Sequence, residues 1–256
     1  MLPLPLHAGP VTGPSRWLGG GLRSDAWLVL PPRCGGCGEA GGPWCAACRA
    51  AARRPPEGPV RPPAAGAPPC WASTLLEGPV RAAVTAVKDE GRVDLRPELA
   101  GLLAVALGRA LREDPVLRRD VRGVRPVVLV PVPGSPAARR RRGEDATLVL
   151  AREAVARLGP PAPPLRAVLR HTRRVGDQAR LGRQARAANL AGALAVPPVA
   201  RDAVRGAACV VLDDVVTTGA TLAEAARALR SAGAVHVAGA VVAATPAVRP
   251  GRGGWT

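Results

Sequence analysis

The sequence predicts an α/β fold: a parallel sheet flanked by helices, preceded by a small cysteine-bearing segment. Three observations predict it. Apolar runs bounded by turn residues, VRPVVLVPV (124–132), CVVLDD (209–214) and AVHVAGAVVAA (234–244), alternate with helical stretches, which is the pattern of strands buried on both faces. Of the 256 residues, 47% are hydrophobic, enough for one sizeable domain and a small appendage. Cys34, Cys37, Cys45 and Cys48 form two C-x-x-C pairs seven residues apart, a metal-ligand spacing.

Taken in chain order, residues 1–30 are rich in Gly and Pro and read as a disordered leader. Residues 31–52 form the cysteine segment. Four thiolates close a tetrahedral site, so structural Zn²⁺ is expected, with no open coordination position for catalysis. Gly35, Gly36 and Gly38 permit tight turns around the first pair, and apart from metal this segment has little core of its own. Residues 53–69, RRPPEGPVRPPAAGAPP, read as a linker, because proline opposes helix and ladder. The main domain spans 70–245. Helices are expected at 79–89, 97–113, 144–158 and 221–232. A short strand is expected at 165–169, followed by an Arg-rich loop or helix to Asn189. Residues 246–256 read as a loose tail. Cys70 and Cys209 are expected to be packing residues. His7, His171 and His236 do not cluster; His236 reads as structural, and His171 is placed to touch an anion.

Phe and Tyr are absent, so the core is built from Ala, Val and Leu. The net charge is +17, and Lys88 is the one lysine among 36 basic residues. Arginine follows from GC-rich coding, but the excess over acids favours anionic partners: polyphosphates, nucleic acid or an anionic membrane surface. No apolar run is long enough to span a membrane. The N-terminus MLPLPLHAGPVTGPS lacks a basic region before a continuous apolar stretch, so cytoplasmic location is expected.

The segment VVLDDVVTTGATL (210–222) carries the most chemistry. An apolar strand ends in Asp213 and Asp214, TTGAT follows, and a helix begins. Thr221 and Glu224 have capping-box spacing, and Gly233 follows as the C′ residue. Free amides at a helix start favour an anion. Gly219 lets the backbone approach closely, and Thr217, Thr218 and Thr221 add hydroxyls, so the loop can enclose a phosphate monoester. The acids suit a vicinal diol, directly or through Mg²⁺. The alternative is an acidic strand end before an ordinary capped helix. Neither a Walker A loop nor G-x-G-x-x-G is present.

VVLDDVVTTGATL resembles the phosphoribosyl-pyrophosphate motif of the type I phosphoribosyltransferases. That resemblance implies a type I phosphoribosyltransferase-like sheet, with Asp213 and Asp214 as the catalytic pair along the ribose. It places Thr217, Thr218, Gly219, Ala220 and Thr221 on the 5′-phosphate, with Mg²⁺ accompanying phosphoribosyl pyrophosphate. PVP, then RG, then D-Q-x-x-L-x-x-x-x-R-x-x-N-L, with the cysteine cluster, resembles the ComF family over roughly residues 34–245. The positions are Pro131, Val132, Pro133, Arg142, Gly143, Gln178, Leu181, Arg186 and Asn189. The resemblance links the chain to DNA uptake in natural competence, and through it to single-stranded DNA or competence machinery. Two departures stand out: RGFNQ appears as Arg142-Gly143-Glu144-Asp145-Ala146, and Lys-Phe-x-Gly as Lys88-Asp89-Glu90-Gly91.

Arg139 to Arg142, just beyond a strand end, suit a pyrophosphate or form a solvated or nucleic-acid patch. Arg180, Arg183 and Arg186 can share a helical face. Lys88 is expected near the phosphate site as a compact ammonium, against a chance surface lysine. Two functions stay open. One is an enzyme that transfers phosphoribose to an acceptor. The other is a non-catalytic module of the same fold that handles DNA, although no Trp lies between Arg92 and Arg252 to stack bases. Oligomeric assembly is left open.

Overall fold

The computed structural model describes residues 33–172 and 191–246. Residues 1–32, with His7, residues 247–256, and the segment carrying Gln178, Arg180, Leu181, Arg183, Arg186 and Asn189 lie outside the described residues.

The sheet has four parallel strands: β1 (Cys70–Leu75), β2 (Val127–Pro131), β5 (Ala208–Val216) and β6 (His236–Ala244), in the order β1-β6-β5-β2. A two-residue antiparallel pair, β3 (Arg170–His171) and β4 (Leu194–Ala195), stands apart from it. The helices are α1 (Ala46–Ala51), α2 (Gly78–Asp89), α3 (Arg96–Glu113), α4 (Pro115–Arg119), α5 (Pro136–Arg142), α6 (Ala146–Leu158) and α7 (Ala220–Ser231).

Both faces of the sheet are buried because successive strand residues point to opposite sides. Val128, Val130, Cys209 and Val211 pack with Leu222, Ala225 and Leu229 of α7. Val127, Leu129, Val210 and Leu212 pack with Ala106, Leu107 and Ala110 of α3 and Ala151 of α6. Every residue from Ala208 to Leu212 is inaccessible to solvent, which explains the unbroken apolar run in the sequence.

The long periodic elements lie where the pattern put them. Several details differ. Residues 165–169 do not form a strand: Leu165 makes one parallel bridge to Leu129, and regular pairing begins only at Arg170. The strand β1 and the arginine helix α5 were not assigned from sequence. β1 carries Ser73 and Thr74, both buried, which interrupt its apolar signal. The helix α5 is only about two turns long, with no buried residue, so it has no hydrophobic period to read.

The cysteine segment is docked on the domain. Cys34, Trp44, Cys48 and Ala52 share one core with Val80, Leu95 and Leu99 of the α2–α3 region. A side chain at Gly35 would run into Leu95, and one at Gly36 into Pro79 and Cys48. Arg49 pairs with Glu98 of α3. The proline-rich stretch after it also lies on the domain: Val60 and Cys70 exchange backbone hydrogen bonds of 2.7 and 2.9 Å.

A candidate phosphoribosyl site at the carboxyl edge of the sheet

The acids stand at the carboxyl end of β5, where open α/β sheets receive ligands. The Asp213 Oδ1 accepts the Asp214 amide at 2.9 Å. Burial, then repulsion from Asp214, pushes the Asp213 carboxyl up to about 8. Asp214 is paired with Lys88: Nζ stands 2.7 Å from Oδ2. Burial lowers the Lys88 ammonium's affinity for its proton, but attraction to Asp214 and a hydrogen bond to it outweigh this and hold its pKa above the ordinary lysine value. The only lysine therefore lies on the acidic pair, brought there by the last turn of α2.

Beyond the acids the chain reverses at Gly219, whose φ is +81°, and α7 begins at Ala220. Among the described residues, no side chain caps this helix start. The Thr218 Oγ1 approaches the Ala220 amide only at 3.4 Å, so the first-turn amides remain available to an anion. Thr217 is exposed, Thr218 and Thr221 are half-buried, and Gly219 and Ala220 are buried.

One sequence expectation at this loop is corrected. Thr221 and Glu224 do not form a capping box. The N-cap is Gly219, two residues before the position that spacing assumed, so Thr221 lies inside the first turn. Glu224 turns instead to the base of the β3–β4 pair: its Oε1 accepts the Leu194 amide at 2.8 Å, and Arg227 clamps both groups. A Cβ at Gly219 would collide with Pro62 and lie against Ala67, so its bare Cα faces the proline-rich stretch. Gly233 holds a left-handed φ of +99° just after α7, as expected of a C′ glycine.

The adjacent strand carries the second wall. Pro131 pairs with Leu212, and the Val132 amide donates to the Leu212 carbonyl at 2.9 Å. The turn that follows is committed to the protein. The Gly134 amide donates to Asp145 Oδ2 at 3.1 Å, while Asp145 Oδ1 accepts the Leu148 amide and caps α6. His171 Nε2 stands 3.2 Å from both the Pro133 and Gly134 carbonyls. Both partners are acceptors, so Nε2 carries the hydrogen. Asp145, which departs from the ComF pattern, is thus a brace for this turn.

Arg142 reaches back to donate to the Lys88 carbonyl at 3.2 Å. With Lys88, Asp214 and Arg96 it lines a cavity of about 40 Å³. The Nε groups of Arg96 and Arg142 are buried there without a partner among the described residues. Arg96 was not read as a site residue, because it starts a helix like many surface arginines. His171, placed from the sequence to touch an anion, contacts two carbonyls, and Asp145, noted as a departure in the RG motif, is bonded to the turn.

The structure therefore brings Lys88, Arg142, Pro131 to Pro133, the two acids and the TTGAT loop to one edge of the sheet. The family model for the phosphoribosyl transferase domain matches residues 144–251, which include the acids, the loop, α7 and β6. That stretch is similar to the family, and it lies in a parallel sheet flanked by helices. One solved structure, described as the allosteric regulatory enzyme of purine biosynthesis, aligns over 57% of this chain and 25% of its own, at 22% identity and a TM-score of 0.32. Another, glutamine phosphoribosylpyrophosphate amidotransferase from B. subtilis complexed with ADP and GMP, aligns over 56% and 25%, at 21% identity and a TM-score of 0.31. This chain spans about a quarter of the length of each. No curated protein matches it.

The four cysteine sulfurs lie within 4.8 Å of one another, and Cys37 Sγ stands 3.7 Å from Cys45 Sγ. A tetrahedron with metal–sulfur bonds of about 2.3 Å has edges of about 3.8 Å, so the donor set fits a divalent cation such as zinc. The Cys34 sulfur receives the Gly36 and Cys45 amides at 3.4 and 3.3 Å. Burial would raise its pKa, but amides from Cys45, Cys37 and Gly36 bring it down to about 6. Cys70 and Cys209 are buried and separate. His236 is held by Asp114 at 3.1 Å. No helix among the described residues is long and apolar enough to cross a membrane.

Proposed function

We propose that this chain binds phosphoribosyl pyrophosphate together with Mg²⁺ and transfers the phosphoribosyl group to an acceptor. The observation that carries the reading is the uncapped start of α7 directly beyond Asp213 and Asp214. It offers free amides and threonine hydroxyls one turn away from two acceptors suited to a ribose diol. The 5′-phosphate is assigned to Thr217, Thr218, Gly219, Ala220 and Thr221, and the ribose hydroxyls to Asp213 and Asp214. Lys88 and Arg142, with the segment carrying Gln178, Arg186 and Asn189, are assigned to the pyrophosphate side, along the wall formed by Pro131, Val132 and Pro133.

In transfer, the C1–O bond of the ribose breaks, pyrophosphate leaves with the bonding electron pair, and the acceptor forms the new bond to C1. Mg²⁺ would neutralise the leaving pyrophosphate. The chain itself holds the ribose, orients C1 and places cationic side chains near the departing charge. Cys34, Cys37, Cys45 and Cys48 would hold a structural Zn²⁺, which ties the N-terminal segment together.

The cysteine segment joined to this domain, with the PVP and RG motifs, supports a ComF-like protein, and with it cytoplasmic location and a role in DNA uptake. Release of pyrophosphate from magnesium phosphoribosyl pyrophosphate, assayed across a panel of nucleobases and amines, tests the transfer. Release above background with one acceptor is expected. A specific observation favours a second reading as a DNA-handling module. The helix α5 presents Arg139, Arg140 and Arg141 exposed and makes no burial of its own. Salt-sensitive single-strand binding without pyrophosphate release would select it.

A further inference from the structure

The stretch between the cysteine segment and β1 is the part of the molecule that neither the motif nor the fold requires. It nonetheless meets the phosphate loop from behind. The Ala64 amide donates to the Thr218 carbonyl at 2.9 Å. Pro62 occupies the space a side chain at Gly219 would need, and Ala67 borders it. The stretch is itself anchored at both ends. Val60 and Cys70 exchange two backbone hydrogen bonds, the Ala67 amide closes a turn onto the Ala64 carbonyl at 3.1 Å, and Arg230 of α7 reaches the Gly66 carbonyl at 3.3 Å.

These contacts have a directional consequence. A carbonyl and the amide that follows it belong to one peptide plane. Holding the Thr218 carbonyl toward Ala64 therefore aims the Gly219 amide the opposite way, toward the front of the loop. Packing at the Gly219 Cα fixes the same reversal from its outer side. Glycine at a positive φ is the most conformationally free residue in such a loop. Without an external contact its amide would sample several directions, and ordering it would be charged against ligand affinity.

We propose that residues 60–67 are a brace that presets the phosphate loop, with Pro62 and Ala64 as positioning residues for the 5′-phosphate of the ligand. The proposal rests on the reading that the loop receives a phosphate. It assigns a function to a proline-rich stretch that composition describes only as a linker. Proline suits the task, since Pro62 presents a rigid apolar ring without loss of side-chain freedom on packing.

The test is calorimetric titration of the full chain with ribose 5-phosphate, ribose, and magnesium pyrophosphate. The variants are Pro62→Gly, Pro62→Val and Ala64→Pro, which lacks the donor. Pro62→Gly and Ala64→Pro are expected to weaken ribose 5-phosphate about three- to tenfold, the size of one lost hydrogen bond or ordering step. Magnesium pyrophosphate should bind as in wild type, and Pro62→Val should restore most of the ribose 5-phosphate affinity. Thermal melting identifies a variant that does not fold; if Ala64→Pro is one, Pro62→Gly decides. Wild-type affinity for ribose 5-phosphate in Pro62→Gly overturns the brace, as does equal weakening of ribose 5-phosphate and magnesium pyrophosphate. A wild-type chain that binds magnesium pyrophosphate or ribose but gains nothing from the 5′-phosphate overturns the phosphate reading itself.

Discussion

The two walls of the cleft are built from the same kind of element, a strand ending in a turn and a helix, yet they use their polar groups in opposite ways. After β2, the turn gives its groups to the protein: the Gly134 amide to Asp145, and the Pro133 and Gly134 carbonyls to His171. After β5, the helix start has no side-chain cap among the described residues, and the turn gives the protein mainly carbonyls, those of Thr217 and Thr218. The difference teaches which wall can accept a ligand through its backbone. An amide already bonded to a carboxylate has little to offer an anion, whereas an orphan amide gains a full partner. The first turn is a rigid shoulder, and the second is the one we propose receives the phosphate.

The sharpest way to break that comparison is at the acids of the receptor wall. Asp214→Asn removes a charged acceptor and the partner of Lys88. Titration calorimetry with magnesium phosphoribosyl pyrophosphate should show a loss of about tenfold to hundredfold, corresponding to about 1.5–3 kcal/mol for a charged hydrogen bond. Unchanged affinity would mean that the ligand does not use this edge.

The next effect is on stability against pH. The folded Asp213 carboxyl is raised to about 8 from an ordinary 3.8. Between those values the folded chain keeps a proton that the unfolded chain has released. Its stability is therefore greatest below about pH 4 as far as this group is concerned, and is lost as pH rises toward about 8. Urea midpoints of the ligand-free protein should fall across that window, and Asp213→Asn should flatten the slope. A slope identical in the variant would assign the effect elsewhere.

The shoulder wall gives smaller changes. Asp145→Ala removes both the bond to Gly134 and the cap of α6, and denaturant unfolding should register a cost of about 1–2 kcal/mol. Affinity for ribose 5-phosphate should barely move, because the receptor wall is intact. If it drops as far as in Asp214→Asn, the two walls are not functionally distinct. Smallest of all, Lys88→Arg keeps the charge on Asp214 but replaces a compact ammonium by a planar fork. A few-fold loss of magnesium phosphoribosyl pyrophosphate affinity is expected, and unchanged affinity would make the lysine incidental.

Much of the fold was legible because burial on two faces writes itself as an uninterrupted apolar run, as in Val127–Pro131 and Ala208–Leu212. β1 was not, since the buried Ser73 and Thr74 break its apolar run, with Ser73 donating to the Leu102 carbonyl. Glu224 misled for a related reason. Its spacing from Thr221 is local, but its carboxylate went to Leu194, thirty residues away, where a buried amide needed an acceptor.

The acids, the threonines and the glycine at the strand–helix junction follow from sequence alone. A strand end and a helix start are local structures, and their chemistry depends on a few consecutive residues. The two C-x-x-C pairs are local in the same sense. Which groups face that junction was decided only by tertiary structure. Lys88 reaches Asp214 because β1 and β5 lie on either side of β6, and Pro62 reaches Gly219 because the chain doubles back over the sheet edge. Such contacts join residues more than a hundred positions apart, and no periodicity along the chain encodes them. They arise when the core packs and leaves these groups adjacent.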